Sequence, residues 1–215
     1  QRVGVLAIDP SSPFTGGALL GDRIRMQEHA TDPGVFIRSM ASRGHLGGMA
    51  AATPQAVRVL EAAGCDVVLI ETVGVGQSET TVAGMTDLFL LLQLPNAGDD
   101  LQAMKKGIME LADLVVINKV DLDSDAALRA EAQVASALRM LRHPGGTRWQ
   151  TRVLRVSALS GEGIAALWDT VERIVALTGP AVVLGGGGYN PWTLARCWTG
   201  LWGRLSGREI PATLP

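Results

Sequence analysis

Short runs that are apolar nearly throughout alternate along this chain with longer segments of helical character. The runs at residues 3–8, 67–70, 88–94, 114–117 and 153–156 are β-branched or leucine-rich, and 35–37 reads as one more short strand. A strand with apolar residues on both sides must be covered on both faces. That is the condition of a parallel sheet under helices rather than a sheet facing water. Between the runs lie helix candidates. Thr53 is placed to cap the first, Pro54 fits its first helical position, and Gly64 reads as its stop. Others span residues 100–111, 124–141 and 163–177. The last carries Ile164, Leu167, Trp168, Val171, Ile174 and Val175 on one face. The order predicts an α/β, doubly wound, mostly parallel sheet. In such sheets a ligand sits beyond the carboxyl ends of the strands. The loops at 9–22 and 39–48 are rich in glycine, serine and proline, and both follow strand candidates.

Net charge is −2 over 215 residues, with no basic stretch of the kind that binds nucleic acid. The longest apolar run, 88–92, is far too short to span a bilayer, and no secretory leader pattern is present. Cys65 and Cys197 are too few for a disulfide framework. The expected setting is cytoplasmic, or the mitochondrial matrix in a eukaryote.

Three motifs follow strand candidates. Asn118-Lys119-Val120-Asp121 comes directly after the run 114–117. Guanine presents N1–H and an exocyclic amino group side by side. One carboxylate, Asp121, can accept from both, and adenine would leave it unpaired. Asn118 can brace the loop and touch the base edge, and the alkyl stem of Lys119 can cover the ring. Ser157-Ala158-Leu159 follows the next strand candidate, and the Ala158 N–H is placed to donate to the guanine carbonyl. Glu71-Thr72-Val73-Gly74 ends the strand candidate 67–70. Its carboxylate can hold a water on Mg²⁺, and the Gly74 amide can face a γ-phosphate. Each motif also has a plain reading: a polar strand-end turn, a cap for the following helix, and a glycine turn.

Together with Asp9-Pro-Ser-Ser-Pro13, Gly16-Gly17, Gly21-Asp-Arg-Ile-Arg-Met26, Gly44-His-Leu-Gly-Gly48, Glu71-Thr-Val-Gly-Val-Gly-Gln-Ser-Glu79, Gly98-Asp-Asp-Leu-Gln102 and Lys105-Lys106-Gly107, these motifs resemble the methylmalonyl-CoA mutase-associated GTPases of the MeaB/ArgK type. These belong to the metallochaperone-like branch of the P-loop GTPases. The resemblance covers roughly residues 1 to 174. It implies a GTP- and Mg²⁺-binding GTPase that acts as chaperone to an adenosylcobalamin-dependent mutase, loading and protecting its cofactor, usually as a homodimer. It implies Asp9, Asp22 and Glu71 as Mg²⁺-site carboxylates. Glu71, Gly74 and Gln77 are implied in the chemistry, with 74–79 as the second switch. The segment holding Gln93, Asp99, Asp100 and Lys105 is implied as a further switch that senses the mutase. Asp99 and Asp100 also suit a helix N-terminus as simple charge. Asn118, Lys119, Asp121, Ser157, Ala158 and Leu159 are implied in nucleotide binding.

Two features depart from that pattern. No Gly-Lys dipeptide exists in the chain, so the loop G-x-x-x-x-G-K-[ST] is missing, and the chain starts at Gln1. It therefore reads as an N-terminally truncated domain that binds GTP poorly, hydrolyses little, and is left with an unpaired sheet edge where a central strand belongs. Val75 follows Gly74 where many small GTPases have a water-orienting glutamine. That valine, which cannot orient a water, is the second departure, and the MeaB/ArgK type shares it; the tail is a separate matter. Residues 180–198, with Gly185 to Gly188 and Tyr189, resemble the C-terminal part of the histone deacetylase/acetoin-utilisation superfamily. No Asp-x-His metal motif accompanies them. The expected organisation is a GTPase-like domain over 1–177 and a deacetylase-like tail fragment over 178–215, whose removal improves solubility. The functional alternatives are a non-catalytic mutase-binding module and the remnant of a zinc-dependent deacylase.

Overall fold

The computed structural model describes residues 2–9, 26–29, 31–41, 52–72, 83–96, 106–141, 149–178 and 182–186. Among the described residues, seven parallel strands form one sheet: β1 (Val3–Asp9), β2 (Val35–Ala41), β3 (Val67–Thr72), β4 (Leu88–Gln93), β5 (Leu114–Ile117), β6 (Arg152–Arg155) and β7 (Val182–Gly186). Their order across the sheet is β2-β1-β3-β7-β4-β5-β6. The α-helices among the same residues are α1 (Thr53–Ala62), α2 (Lys106–Leu111), α3 (Ser124–Leu141) and α4 (Ile164–Thr178).

The runs that form β1, β3, β4 and β5 are covered on both faces, whereas the edge strands β2 and β6 are only partly buried. In β1, Val3, Val5 and Ala7 point into one core, and Leu6 and Ile8 into the other. The first core takes Leu167, Trp168, Val171 and Ile174 of α4; the second takes Val57 and Leu60 of α1, Ile108 and Met109 of α2, and Ala127, Ala130 and Val134 of α3. This division follows the right-handed crossover rule. Connections that step one way across the sheet place α1, α2 and α3 on one face. The return from β6 to the centre places α4 on the other.

Local signals set most of the helix ends. The Asp123 carboxylate accepts the Ala126 N–H at 2.8 Å, which caps α3. Gly64, at φ +82°, ends the turn after α1, as its position beyond the helix suggested. The start of α1 differs from expectation. Ala52 occupies the cap position with no side-chain hydrogen bond, and Thr53 lies inside the helix, fully buried, with Pro54 in its first turn.

The expected open edge at the sheet centre is not present. β7 pairs with β3 from Val68↔Val182 to Thr72↔Gly186 and with β4 from Leu88↔Val183 to Leu91↔Gly186. The boundary expected near Thr178 falls at the end of α4, and the strand beyond it belongs to the same sheet. Removing 179–215 would therefore expose two ladder edges, an effect that opposes the expected gain in solubility. Tyr189 and the tryptophans after it lie outside the described residues.

Candidate functional site

The two sequence motifs that end β5 and precede α4 come together as one hydrogen-bonded unit. The Val156 N–H donates to the Ile117 carbonyl at 2.8 Å and extends the β5–β6 ladder to the sheet rim. There Asn118 is 2% exposed and acts as the junction. Its Oδ1 accepts the Lys119 N–H at 2.8 Å and the Ala158 N–H at 3.2 Å. Its own N–H donates to the Gln93 carbonyl at 2.9 Å, which ties the end of β4 to the same loop.

The chain then reverses sharply. Lys119 has φ +62°, a left-handed backbone that few side-chain-bearing residues adopt. The turn is held on both sides: the Val120 N–H donates to the Val156 carbonyl at 3.3 Å, and the Leu122 N–H to the Lys119 carbonyl at 3.1 Å. Val120 is buried in the core, so the flanking Lys119 and Asp121 are directed to the rim.

Ser157 fixes Asp121. Its hydroxyl donates to Asp121 Oδ1 at 2.5 Å and accepts the Ser160 N–H at 3.0 Å. The hydroxyl has a single proton, so this second bond leaves it committed to the carboxylate. Each carboxylate oxygen has two acceptor sites. Asp121 can therefore keep the serine and still receive two adjacent N–H donors. The serine loop closes through Ser157 N–H to the Glu162 carbonyl at 2.9 Å and Gly161 N–H to the Ser157 carbonyl at 2.9 Å. Gly163, at φ +73°, then lets the chain enter α4; a Cβ there would meet the Arg155 carbonyl oxygen at 2.1 Å. Arg155 in turn pairs with Glu131 at 2.7 Å and ties β6 to α3.

The other side of the rim carries Glu71 and Thr72, 8% and 5% exposed, at the end of β3. Ala7 of β1 is in register with Glu71, so Asp9 ends the neighbouring strand at the same rim. The side chain of Asp9 lies outside the described residues, as do Asp22, Gly74, Gln77, Asp99, Asp100 and Lys105. Gln93, at the end of β4, is 7% exposed.

The structure brings together Asn118, Asp121 and Ser157, which sequence reasoning assigned to one site, and adds the way they interlock. Sequence reasoning assigned the Ala158 N–H to a ligand carbonyl, whereas the structure gives it to Asn118. Asn118 was read as a brace for the loop, and the structure supplies the groups it holds, the Lys119 and Ala158 N–H. Gly163 was legible only as a helix start.

Comparison with known proteins bears on this arrangement. A family model for the methylmalonyl-CoA mutase-associated GTPase MeaB matches residues 1–181. A protein of Pyrococcus abyssi is 53% identical over 173 residues, covering 80% of this chain and 52% of its own length. The mouse methylmalonic aciduria type A homolog, named as mitochondrial, is 50% identical over 174 residues, covering 80% of this chain and 42% of its own. GTPase ArgK of Escherichia coli is 50% identical over 171 residues, covering 79% and 51%. The crystal structure of a LAO/AO transport system kinase superposes with a TM-score of 0.61 at 31% identity, over 96% of this chain and 55% of the other. The chain thus spans about half the length of the curated relatives it matches.

Proposed function

The chain belongs to the MeaB family of methylmalonyl-CoA mutase-associated GTPases, and from that membership we propose that it is the guanine-reading part of a GTP-driven chaperone for an adenosylcobalamin-dependent mutase. The observation that supports this reading best is the locked pair Ser157–Asp121 on a loop braced by Asn118. A carboxylate held at a sheet rim with acceptor sites to spare suits the paired donors of guanine. Adenine has no such pair, and a carboxylate desolvated against it would go unmatched.

Glu71 and Asp9 end neighbouring strands at the other side of the rim. Carboxylate oxygens are the hard donors that Mg²⁺ takes, usually while keeping several waters, so the residue types suit that ion. Bound there, the ion would neutralise charge on the nucleotide's phosphates. The chain's own residues would orient the base through Asp121, cover the ring with the Lys119 stem, and keep the two loops in register through Asn118. The 215 residues contain no Gly-Lys pair. Hydrolysis, mutase binding and homodimer formation are proposed for the whole protein on family grounds. The same holds for the compartment, cytoplasm in a bacterium and matrix in a eukaryote. Among the described residues no helix is long and apolar enough to cross a membrane.

Thermal unfolding of the chain with GTP·Mg²⁺ and with ATP·Mg²⁺, and co-elution of the whole protein with purified mutase, test this reading. A rise in Tm with the guanine nucleotide alone and a shared elution peak are expected. Equal stabilisation by ATP would remove the guanine assignment, and separate elution would remove the mutase.

A further inference from the structure

Among the described strands β7 is the last in the chain and the central one in the sheet. It pairs in parallel on both sides, with β3 from Val68↔Val182 to Thr72↔Gly186 and with β4 from Leu88↔Val183 to Leu91↔Gly186. No ladder joins β3 to β4 directly among the described strands. These two strands therefore bound a slot that is filled by a segment arriving from the far end of the chain.

The occupant is held by the slot more than by its own preference. Its sequence is Val182-Val-Leu-Gly-Gly186, and two of those five residues are glycine, which weakens a strand. Two ladders of backbone hydrogen bonds hold it. Recognition of this kind asks for an extended segment in the right register and is indifferent to which molecule supplies it. Strand β7 also starts directly after residue 181, the last one matched by the family model. The slot lies inside the matched segment and its occupant outside it.

The tether is short. Three positions, Gly179-Pro180-Ala181, separate the end of α4 at Thr178 from the start of β7 at Val182. A proline disfavours helical backbone at the residue before it and favours extended chain. Short hinges favour a segment that runs on into a neighbouring molecule in place of turning back into its own. A second copy of this chain offers the same β3 and β4 edges, in the same register, to the same five residues. The ladders gained in such an exchange equal the ladders lost, so the balance is set by the link and by chain concentration.

We propose that the slot between β3 and β4 is a strand-exchange interface between two copies of this chain, each seating its β7 in the other. In dilute solution β7 occupies its own slot, and the reciprocal pair forms as concentration rises. Neither the guanine reading nor the mutase role is needed for this.

The test places one thiol on each side of the ladder, in separate full-length chains. Val68 and Val182 are level partners on neighbouring strands. Such strands lie about 4.8 Å apart, within the roughly 4.4–6.8 Å that a disulfide spans between Cα atoms. One chain carries Val68→Cys and the other Val182→Cys, each with Cys65→Ser and Cys197→Ser. The two are refolded together at rising concentration, oxidised, and separated without reductant. A disulfide-linked pair of unlike chains is expected, its share rising with concentration by mass action. A chain carrying both new cysteines, refolded alone in dilute solution, should link internally. Unlike chains that stay single while this double variant links internally would overturn the proposal, because β7 then never leaves its own slot. A double variant that links in neither way would overturn it as well, because β7 would not occupy the slot. Light scattering of the unsubstituted chain is the second readout. A species of twice the chain mass is expected to grow with concentration, and a single-chain mass throughout would contradict exchange. Leu184→Pro removes a backbone donor from a strand paired on both edges and should abolish that species. A dimer that persists in Leu184→Pro would place the interface elsewhere and overturn the exchange.

Discussion

The Ser157 hydroxyl donates to Asp121 Oδ1 at 2.5 Å across a separation of 36 residues in the chain. This bond joins the loop after β5 to the loop after β6, and it aims the carboxylate without neutralising it. A hydrogen bond to a charged group contributes about 1.5–3 kcal/mol. Ser157→Ala should leave the fold intact and weaken guanosine binding by about tenfold, because Asp121 then samples several orientations. Calorimetry with guanosine checks this. Unchanged affinity would mean that the carboxylate is positioned by something else.

Asn118→Ala removes the acceptor shared by the Lys119 and Ala158 N–H groups. Leaving one buried and one partly buried donor unmatched costs roughly 2–4 kcal/mol. Urea unfolding should show a matching drop in midpoint with little change in slope. The left-handed turn at Lys119 should also loosen, visible as faster amide exchange there.

Gly163→Ala introduces a Cβ against the Arg155 carbonyl oxygen, at 2.1 Å, on a residue whose φ is +73°. Both effects are unfavourable, and together they predict a loss of about 2 kcal/mol or more. The same change at Gly161, where φ is +81° but nothing lies within 4 Å, should cost less. Paired denaturation curves for the two variants check the order.

Asp113 carries the pH dependence that the fold makes legible. Burial pushes its carboxyl above the usual range, against the opposing effect of the Phe89 N–H it accepts at 2.8 Å. A raised carboxyl pKa means that the folded state holds the proton longer than the unfolded chain does. Stability therefore falls as pH rises from the ordinary carboxylate value of about 3.9 through the raised one. Asp113→Asn keeps an acceptor for Phe89 and removes the titration. The gap between parent and variant should widen in the variant's favour over that window and level off above it. Unfolding free energies measured across pH 3 to 7 would show it, and parallel curves would refute it.

Much of this was legible in the sequence for local reasons. The run 114–117 and the segment 124–141 became β5 and α3 with the expected ends, because apolar period and the Asp123 cap agree. The two loops proposed to read the base stood out as motifs because Asn118 and Ser157 each follow their strand closely. Residues 182–186 were not read as a strand. Three apolar residues followed by glycines give a weak local signal. What makes them a strand is the pair of open ladders on β3 and β4, which no local pattern reveals. Thr53 was read as a cap because threonine before proline usually is one, and the chain instead turns a residue earlier, at Ala52. Gly74, Gln77, Asp22, Asp99, Asp100 and Lys105 lie outside the described residues, and their proposed roles rest on the family.

The most direct measurement is the exchange of base preference in Asp121→Asn. Xanthine presents an acceptor where guanine has its amino group, so an amide that donates should favour it while the aspartate favours guanine. Displacement of a fluorescent guanine nucleotide by guanosine, xanthosine and adenosine would be followed for the parent and the variant at fixed salt. The account predicts that guanosine displaces best from the parent, that xanthosine gains on guanosine in Asp121→Asn, and that adenosine is weak in both. The same order of displacement in parent and variant, or adenosine competing equally with guanosine in the parent, would contradict it.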